Sequence, residues 1–223
     1  MKKIYYILPL LLVIACREHK KKSIPETPVT ASRPALFHYP YLSDNFSFSL
    51  EPFYDEDSTY KNVILHIYRK DDDNSIQEIP LPHAAASLFY YSGNSRSYFT
   101  GYGKDEDAAD GMYGDIVVAD FNFDGREDFA VMREVGHAAF YDFYLQTTAG
   151  KFEEEKWLTK NMELFPDIDS IQQTLTTFAR SGVCCYTLQV YQYLPASKSY
   201  QFVRRERRDA NTDSLVNEEF PGN

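Results

Sequence analysis

Apolar and polar residues alternate along most of the chain beyond residue 35. Phe46, Phe48 and Leu50 alternate with Ser47 and Ser49, the period-two pattern of a strand with one buried face. Val63, Leu65 and Ile67 interleave with Ile64, His66 and Tyr68, which is apolar on both faces and predicts an interior strand. The polar run at 71–75 predicts a turn, with 76–79 returning as its hairpin partner. Further strand patterns lie at 115–119, 128–132, 141–146, 151–155, 175–180, 183–193 and 200–207. Helical patterning is confined to short pieces at 82–88 and 154–162. Strands spaced by about ten residues predict an all-β fold: a hairpin meander, propeller-like or an open β array. Residues 87–113 interrupt the pattern and predict a long exposed excursion. Its part from Ser92 to Gly103, rich in Ser, Gly, Asn and Tyr, has the composition of a binding loop or of a connector, and an acidic run follows at 105–110.

Composition sharpens this picture. Of 223 residues, 18 are Tyr and 16 Phe, which favour pleated, half-buried surfaces and strengthen the β reading. Apolar residues at 43% and charged residues at 25% are globular values, and the length suffices for a real core. A net charge of −10 sets nucleic-acid binding aside, since that affinity comes from Lys and Arg on phosphates. No stretch reaches the roughly 18 apolar residues of a membrane-spanning helix.

The first residues point to export. Met1-Lys2-Lys3 precedes an uncharged run from Ile4 to Ala15, the build of a secretory signal. Its end, Val13-Ile14-Ala15-Cys16, resembles the lipobox of bacterial lipoproteins, although Ile14 stands where a smaller residue is commoner. The resemblance implies cleavage after residue 15, acylation of Cys16 with palmitate-like chains, and anchoring in the cell envelope, most simply on the periplasmic side of the outer membrane. The plainer alternative is a cleaved signal that Cys16 merely follows. Residues 16–35, with Lys20-Lys21-Lys22, Pro25, Pro28 and Pro34, predict an extended tether, and 36–223 a single domain. The other two cysteines, Cys184 and Cys185, are adjacent. Neighbours in a strand point to opposite faces, so the expectation is one thiol in the core and one outside, with a vicinal redox pair as the lesser alternative.

One segment carries chemistry. In Asp120-Phe121-Asn122-Phe123-Asp124-Gly125-Arg126-Glu127-Asp128, oxygen-bearing side chains occupy loop positions one, three, five and nine, with glycine at six. Ca²⁺ takes about 6–8 oxygens, and a tight loop supplies them from alternate residues, with the backbone carbonyl of Arg126 as a further donor. Val131 stands where an EF-hand carries Glu, and the flanks read as strands, so this predicts a calcium loop between two strands. The expected ligands are Asp120, Asn122, Asp124, Arg126 through its carbonyl, and Asp128. Mg²⁺, which prefers fewer protein ligands, fits less well. The competing reading is a metal-free Asp/Asn/Gly turn.

The loop resembles the calcium loops of FG-GAP repeats in integrin-α-like propellers. Together with Tyr141-Asp142-Phe143-Tyr144-Leu145, Phe165-Pro166-Asp167-Ile168-Asp169, Ala179-Arg180-Ser181-Gly182 and the hairpins Ile67-Tyr68…Ile76-Gln77-Glu78-Ile79 and Tyr191-Gln192-Tyr193…Tyr200-Gln201-Phe202, it is similar to a family of bacterial periplasmic lipoproteins. One characterised member is a propeller-like, calcium-containing inhibitor, or immunity protein, that blocks a lysozyme-like peptidoglycan hydrolase. The resemblance implies a membrane-tethered binding module whose calcium shapes a surface for a protein partner, with a cell-wall hydrolase as the candidate and no catalysis of its own. Two alternatives stay open: a carbohydrate-active or peptidoglycan-processing enzyme using carboxylates at 105–110, and an adhesion component with structural calcium. Glu134 and His137 lack a recognisable nucleophile, His19, His38, His66 and His83 lack ligand spacing, and the charge run 204–208 predicts a solvated edge strand.

Overall fold

A computed structural model describes residues 37–54, 60–71, 74–81, 94–103, 113–135, 139–162, 164–180 and 184–221. These fall within a compact unit, Pro34–Asn223. The predicted signal, Cys16 and the tether lie outside the described residues, as do the acidic run at 105–110, His137 and the helical pattern at 82–88.

Three sheets follow one another in chain order. The first is an antiparallel meander of β1 (Phe37–Tyr39), β2 (Phe46–Tyr54), β3 (Tyr60–Arg69) and β4 (Ser75–Leu81). Alternation explains its orientation: Phe48, Leu50, Val63, Leu65 and Ile67 are buried, while Ile64, His66 and Tyr68 on the opposite face are half-buried. β3 is interior, as its pattern predicts. On its half-open face His66 reaches Glu51 at 2.9 Å and Glu78 at 3.4 Å across neighbouring strands, and His38 bonds Ser49 at 2.8 Å. These two histidines serve cross-strand pairing.

The second sheet orders β5 (Ser95–Ser97), β6 (Ile116–Ala119), β7 (Asp128–Val135), β8 (Ala139–Gln146) and β9 (Phe152–Glu154). β5 runs parallel to β6 and the other pairs are antiparallel. A short helix, α1 (Lys156–Asn161), begins where the Glu155 carboxylate accepts the Trp157 N–H at 3.0 Å. The third sheet is the antiparallel meander of β10 (Asp167–Asp169), β11 (Thr174–Arg180), β12 (Cys185–Leu194), β13 (Ser199–Asp209) and β14 (Leu215–Glu219). Among the described residues none of these sheets closes into a barrel, and no helix is long and apolar enough to cross a membrane. The fold is an open all-β array, as the strand spacing predicts.

The core is strongly aromatic. Phe129 at the start of β7 meets Phe48 of the first sheet edge-on at 5.4 Å and Phe152 of β9 at 5.0 Å. Phe121 meets Phe143 at 5.0 Å and Phe165 at 5.8 Å. The third sheet joins this core through Leu175, Tyr193 and Tyr200, with Tyr200 stacked on Trp157 of α1 at 4.9 Å.

Three expectations need correction. The segment 87–113 is not exposed throughout: Ser95, Arg96 and Ser97 are buried as β5, because pairing with the fully buried β6 draws them inward. Gly114, at φ 114°, allows that approach, since a Cβ there would lie 2.8 Å from the Ser95 Cα. The charge run 204–208 is not an edge, because β14 covers it; Arg204 and Arg208 both pair with the buried Glu206 at 2.7 Å. Cys184 is exposed and Cys185 buried, as expected, yet their sulfurs do not diverge. Cys184 precedes β12, so strand alternation does not govern it.

Candidate metal centre

The strands β6 and β7 pair in register from Ile116 with Val131 to Ala119 with Asp128, which leaves 120–127 as the loop between them. Phe121 is buried and Phe123 is partly buried against the core, so the aromatic residues pin the loop inward while Asp124 and Gly125 face solvent. Phe123 adopts φ 57° and Gly125 φ 81°. Two left-handed residues this close fold the chain tightly; glycine adopts that conformation freely, whereas the phenylalanine stays there against an intrinsic cost.

The expected donors interlock. Asp120 accepts the N–H of Asp124 at 3.0 Å on Oδ1 and that of Gly125 at 2.8 Å on Oδ2. Asn122 Oδ1 accepts the Asp124 N–H at 3.2 Å, and its Nδ2 donates to Asp124 Oδ2 at 2.9 Å. Asp124 Oδ1 accepts the Arg126 N–H at 2.9 Å, and the Arg126 guanidinium pairs with Asp124. Asp128 is fully buried and turned the other way: Oδ2 accepts the Phe121 N–H at 3.0 Å and Oδ1 the Gln146 N–H at 2.8 Å. It ties the loop entrance to the far end of β8.

Electrostatics separate these carboxyls. Burial pushes Asp128 up to about 8; the N–H groups of Gln146 and Phe121 oppose this, and the charges of Asp124 and Asp120 add to it. Burial also raises Asp120, opposed by the N–H groups of Gly125 and Asp124. Among the described residues no group of three or more His, Cys, Asp or Glu side chains is gathered closely enough to hold an ion on its own. The donor set is wider than that, because the Asn122 amide and the Arg126 carbonyl are also hard oxygens. In donor chemistry the loop offers a hard cation the carboxylates of Asp120, which burial raises, and Asp124, with the Asn122 amide oxygen and the Arg126 carbonyl, in a backbone folded by two positive φ angles. Asp120, Asn122, Asp124 and the Arg126 carbonyl would hold it; Asp128, also an expected ligand, departs from that expectation, since both its oxygens accept backbone N–H groups and it anchors the loop from beneath.

What surrounds the loop was not legible locally. Glu127 is buried and accepts the Ser43 hydroxyl at 2.6 Å and the Asn45 amide at 3.3 Å. The connector between β1 and β2 is thus fastened to the loop, across 84 residues of sequence for Ser43, and no nearby motif marks Glu127. The same connector carries Tyr41, whose carbonyl accepts the Thr100 hydroxyl at 3.0 Å and whose ring stacks on Tyr102 at 5.6 Å. Thr100 and Tyr102 belong to the turn that follows β5. Ser97 shapes that turn: its hydroxyl accepts the N–H groups of Phe99 and Thr100, both at 3.2 Å, and its own N–H donates to the Tyr102 carbonyl at 2.9 Å. Tyr41, Tyr98, Phe99 and Tyr102 remain between 38% and 65% exposed. Because β5 and β6 are parallel, the aromatic turn and the acidic loop leave the second sheet at the same end.

Elsewhere, Arg133 pairs with Asp142 across β7 and β8 at 3.1 Å. A polar depression of ≈ 380 Å³, lined by residues including Asp44, Arg69, Lys70 and Gln146, opens to solvent.

No family model matches the chain, and no curated protein matches it. Among solved structures it is similar to one described as the structure of a Xanthomonas type IV secretion system related protein, with a TM-score of 0.51 and 13% identity over 82% of this chain and 86% of that chain. The likeness is one of fold. It extends across most of both chains.

Proposed function

We propose that this chain is a membrane-tethered binding module of the bacterial envelope, that its 120–128 loop holds one Ca²⁺, and that its partner is a protein, a cell-wall hydrolase that it restrains. The observation that carries this reading is the common end of the second sheet. There an exposed aromatic turn and the acidic loop lie side by side, joined through one connector by the Glu127–Ser43 and Thr100–Tyr41 hydrogen bonds. Aromatic side chains on a stapled turn give contact area at low entropic cost. Calcium, when bound, supplies positive charge that offsets the carboxylates. The chain's own residues then do the coupling. Asp128 fixes the loop to β8, Glu127 fixes the connector to the loop, and the connector holds Tyr41 against Tyr102. The lipobox-like start supports the envelope location, and the fold shared with a secretion-system related protein is in keeping with it.

The test is capture from envelope extract by the full chain, with calcium and with chelator, beside the double variant Phe99→Ala, Tyr102→Ala. The reading expects a captured peptidoglycan hydrolase, lost in chelator and in the double variant, whose turnover falls when the purified chain is added. Peptidoglycan cleavage by the purified chain itself, abolished by one carboxylate substitution, would overturn it in favour of an enzyme.

A further inference from the structure

Cys184 and Cys185 lie far along the chain from the calcium loop, and the function proposed above makes no use of them. Their Sγ atoms are 2.6 Å apart, well inside the contact distance of unbonded sulfurs. The dipeptide is pinned on both sides: the Cys184 carbonyl accepts the Ala210 N–H at 2.8 Å, and Cys185 pairs in register with Asp209. A third group is present, since Arg207 donates to the Cys185 sulfur at 3.6 Å. The two thiols differ in access, with Cys184 exposed and Cys185 only 6% exposed.

We propose that Cys184 and Cys185 are a redox pair that closes to a vicinal disulfide by exchange with an organic disulfide, Cys184 attacking first and Cys185 resolving. The Cys184 thiolate attacks one sulfur of R–S–S–R and expels RS⁻, leaving Cys184 joined to SR. Cys185 gives up its proton, attacks the Cys184 sulfur and expels the second RS⁻. Two thiols are oxidised, one disulfide is reduced to two RSH, and no other co-reactant is needed. The asymmetry supports this order. The hydrogen bond from Cys185, supported by Arg207, holds the Cys184 thiol below its usual range, and the same bond pushes Cys185 up. The incoming disulfide reaches only the exposed sulfur, and the buried one is already in place behind it. In an exported chain the surroundings are oxidising, so a disulfide once closed persists. Closure fixes the dipeptide beside the turn that joins β13 to β14, so the redox state sets how firmly that end of the third sheet is held.

The test uses the full chain carrying Cys16→Ser, in which these two are the only thiols. Oxidised glutathione is added, remaining thiols are trapped with a maleimide, and the tryptic peptide 181–198 is weighed. The expected product is monomeric, lacks two hydrogens and takes no maleimide, and dithiothreitol restores both labels. In Cys185→Ala the reaction should stop at a stable glutathione adduct on Cys184. In Cys184→Ala the buried Cys185 should react far more slowly. Amide exchange at Ala210 should slow on oxidation. A persistent glutathione adduct on Cys184 in the chain with both cysteines, disulfide-linked dimers, or two maleimide labels after oxidation would each refute the pair.

Discussion

Removing the Asp128 carboxylate tests the physical role of the loop's most buried group. Its two oxygens accept the N–H groups of Phe121 at 3.0 Å and Gln146 at 2.8 Å, in a position with no solvent exposure. Asp128→Ala leaves both donors without an acceptor, and a buried donor so stranded costs about 1–3 kcal/mol. The expected loss is therefore about 2–6 kcal/mol, a large share of the roughly 5–15 kcal/mol that holds a domain folded. The carboxyl's raised value, about 8, means that it is largely protonated at neutral pH without a cation, so its removal brings little relief from buried charge. Denaturant unfolding in chelator measures the difference. Asp128→Asn keeps one acceptor oxygen and should lose roughly half as much. Asp124→Ala, whose carboxylate is loop-exposed and paired with Arg126, should stay within about 1 kcal/mol under the same conditions. If Asp128→Ala costs no more than Asp124→Ala in chelator, the anchoring role is wrong.

Cys16→Ser should move the protein from the membrane to the soluble fraction and abolish acyl labelling; membrane association that persists without any acyl label contradicts the lipobox reading. Phe99→Ala with Tyr102→Ala should cost only about 1–2 kcal/mol of stability, since both residues are partly exposed and lie outside the core, yet weaken partner binding by about 2 kcal/mol or more, as calorimetry of the complex would show. Glu206 is held below its ordinary 4.5 by the hydrogen bonds of Arg204 and Arg208. Its contribution is therefore fully present above that value and is lost as pH falls through the lower folded value. Glu206→Gln should flatten the acid limb of a stability–pH curve, and an unchanged limb would remove Glu206 from the account.

Local pattern revealed the strands with strong alternation. β2, β3 and β8 carry buried apolar residues at alternate positions along most of their length, so their sequence sets which face turns inward, whereas β7 is buried on both faces from Asp128 to Met132. β5 was hidden because Ser95, Arg96 and Ser97 have no apolar signature; they are buried by parallel pairing with β6, a contact between segments that sequence patterning does not register. β14 was hidden for the opposite reason, as every residue of it is exposed and it is held to β13 by main-chain pairing and by surface ion pairs such as Arg205 with Glu219. At the candidate site the donors were legible from their spacing. Asp128's inward turn and the Glu127–Ser43 tie depend on partners 18 and 84 residues away. The aromatic turn was legible as composition only, and its rigidity comes from the Ser97 hydroxyl and from Tyr41.

Calcium titration of the full chain bears most directly on the central claim. Extracellular sites of this kind have Kd of about 10⁻⁴–10⁻³ M. At free calcium roughly tenfold above Kd, linkage adds about 1.4 kcal/mol, which corresponds to a Tm rise of roughly 3–6 °C for a chain of this size. The account predicts that rise, its reversal by chelator, one ion per chain by calorimetry, and the disappearance of all three in Asp124→Ala. A Tm indifferent to calcium and chelator, with no heat of binding, would contradict it and leave Asp120, Asn122, Asp124 and Asp128 as the capping residues of a metal-free turn.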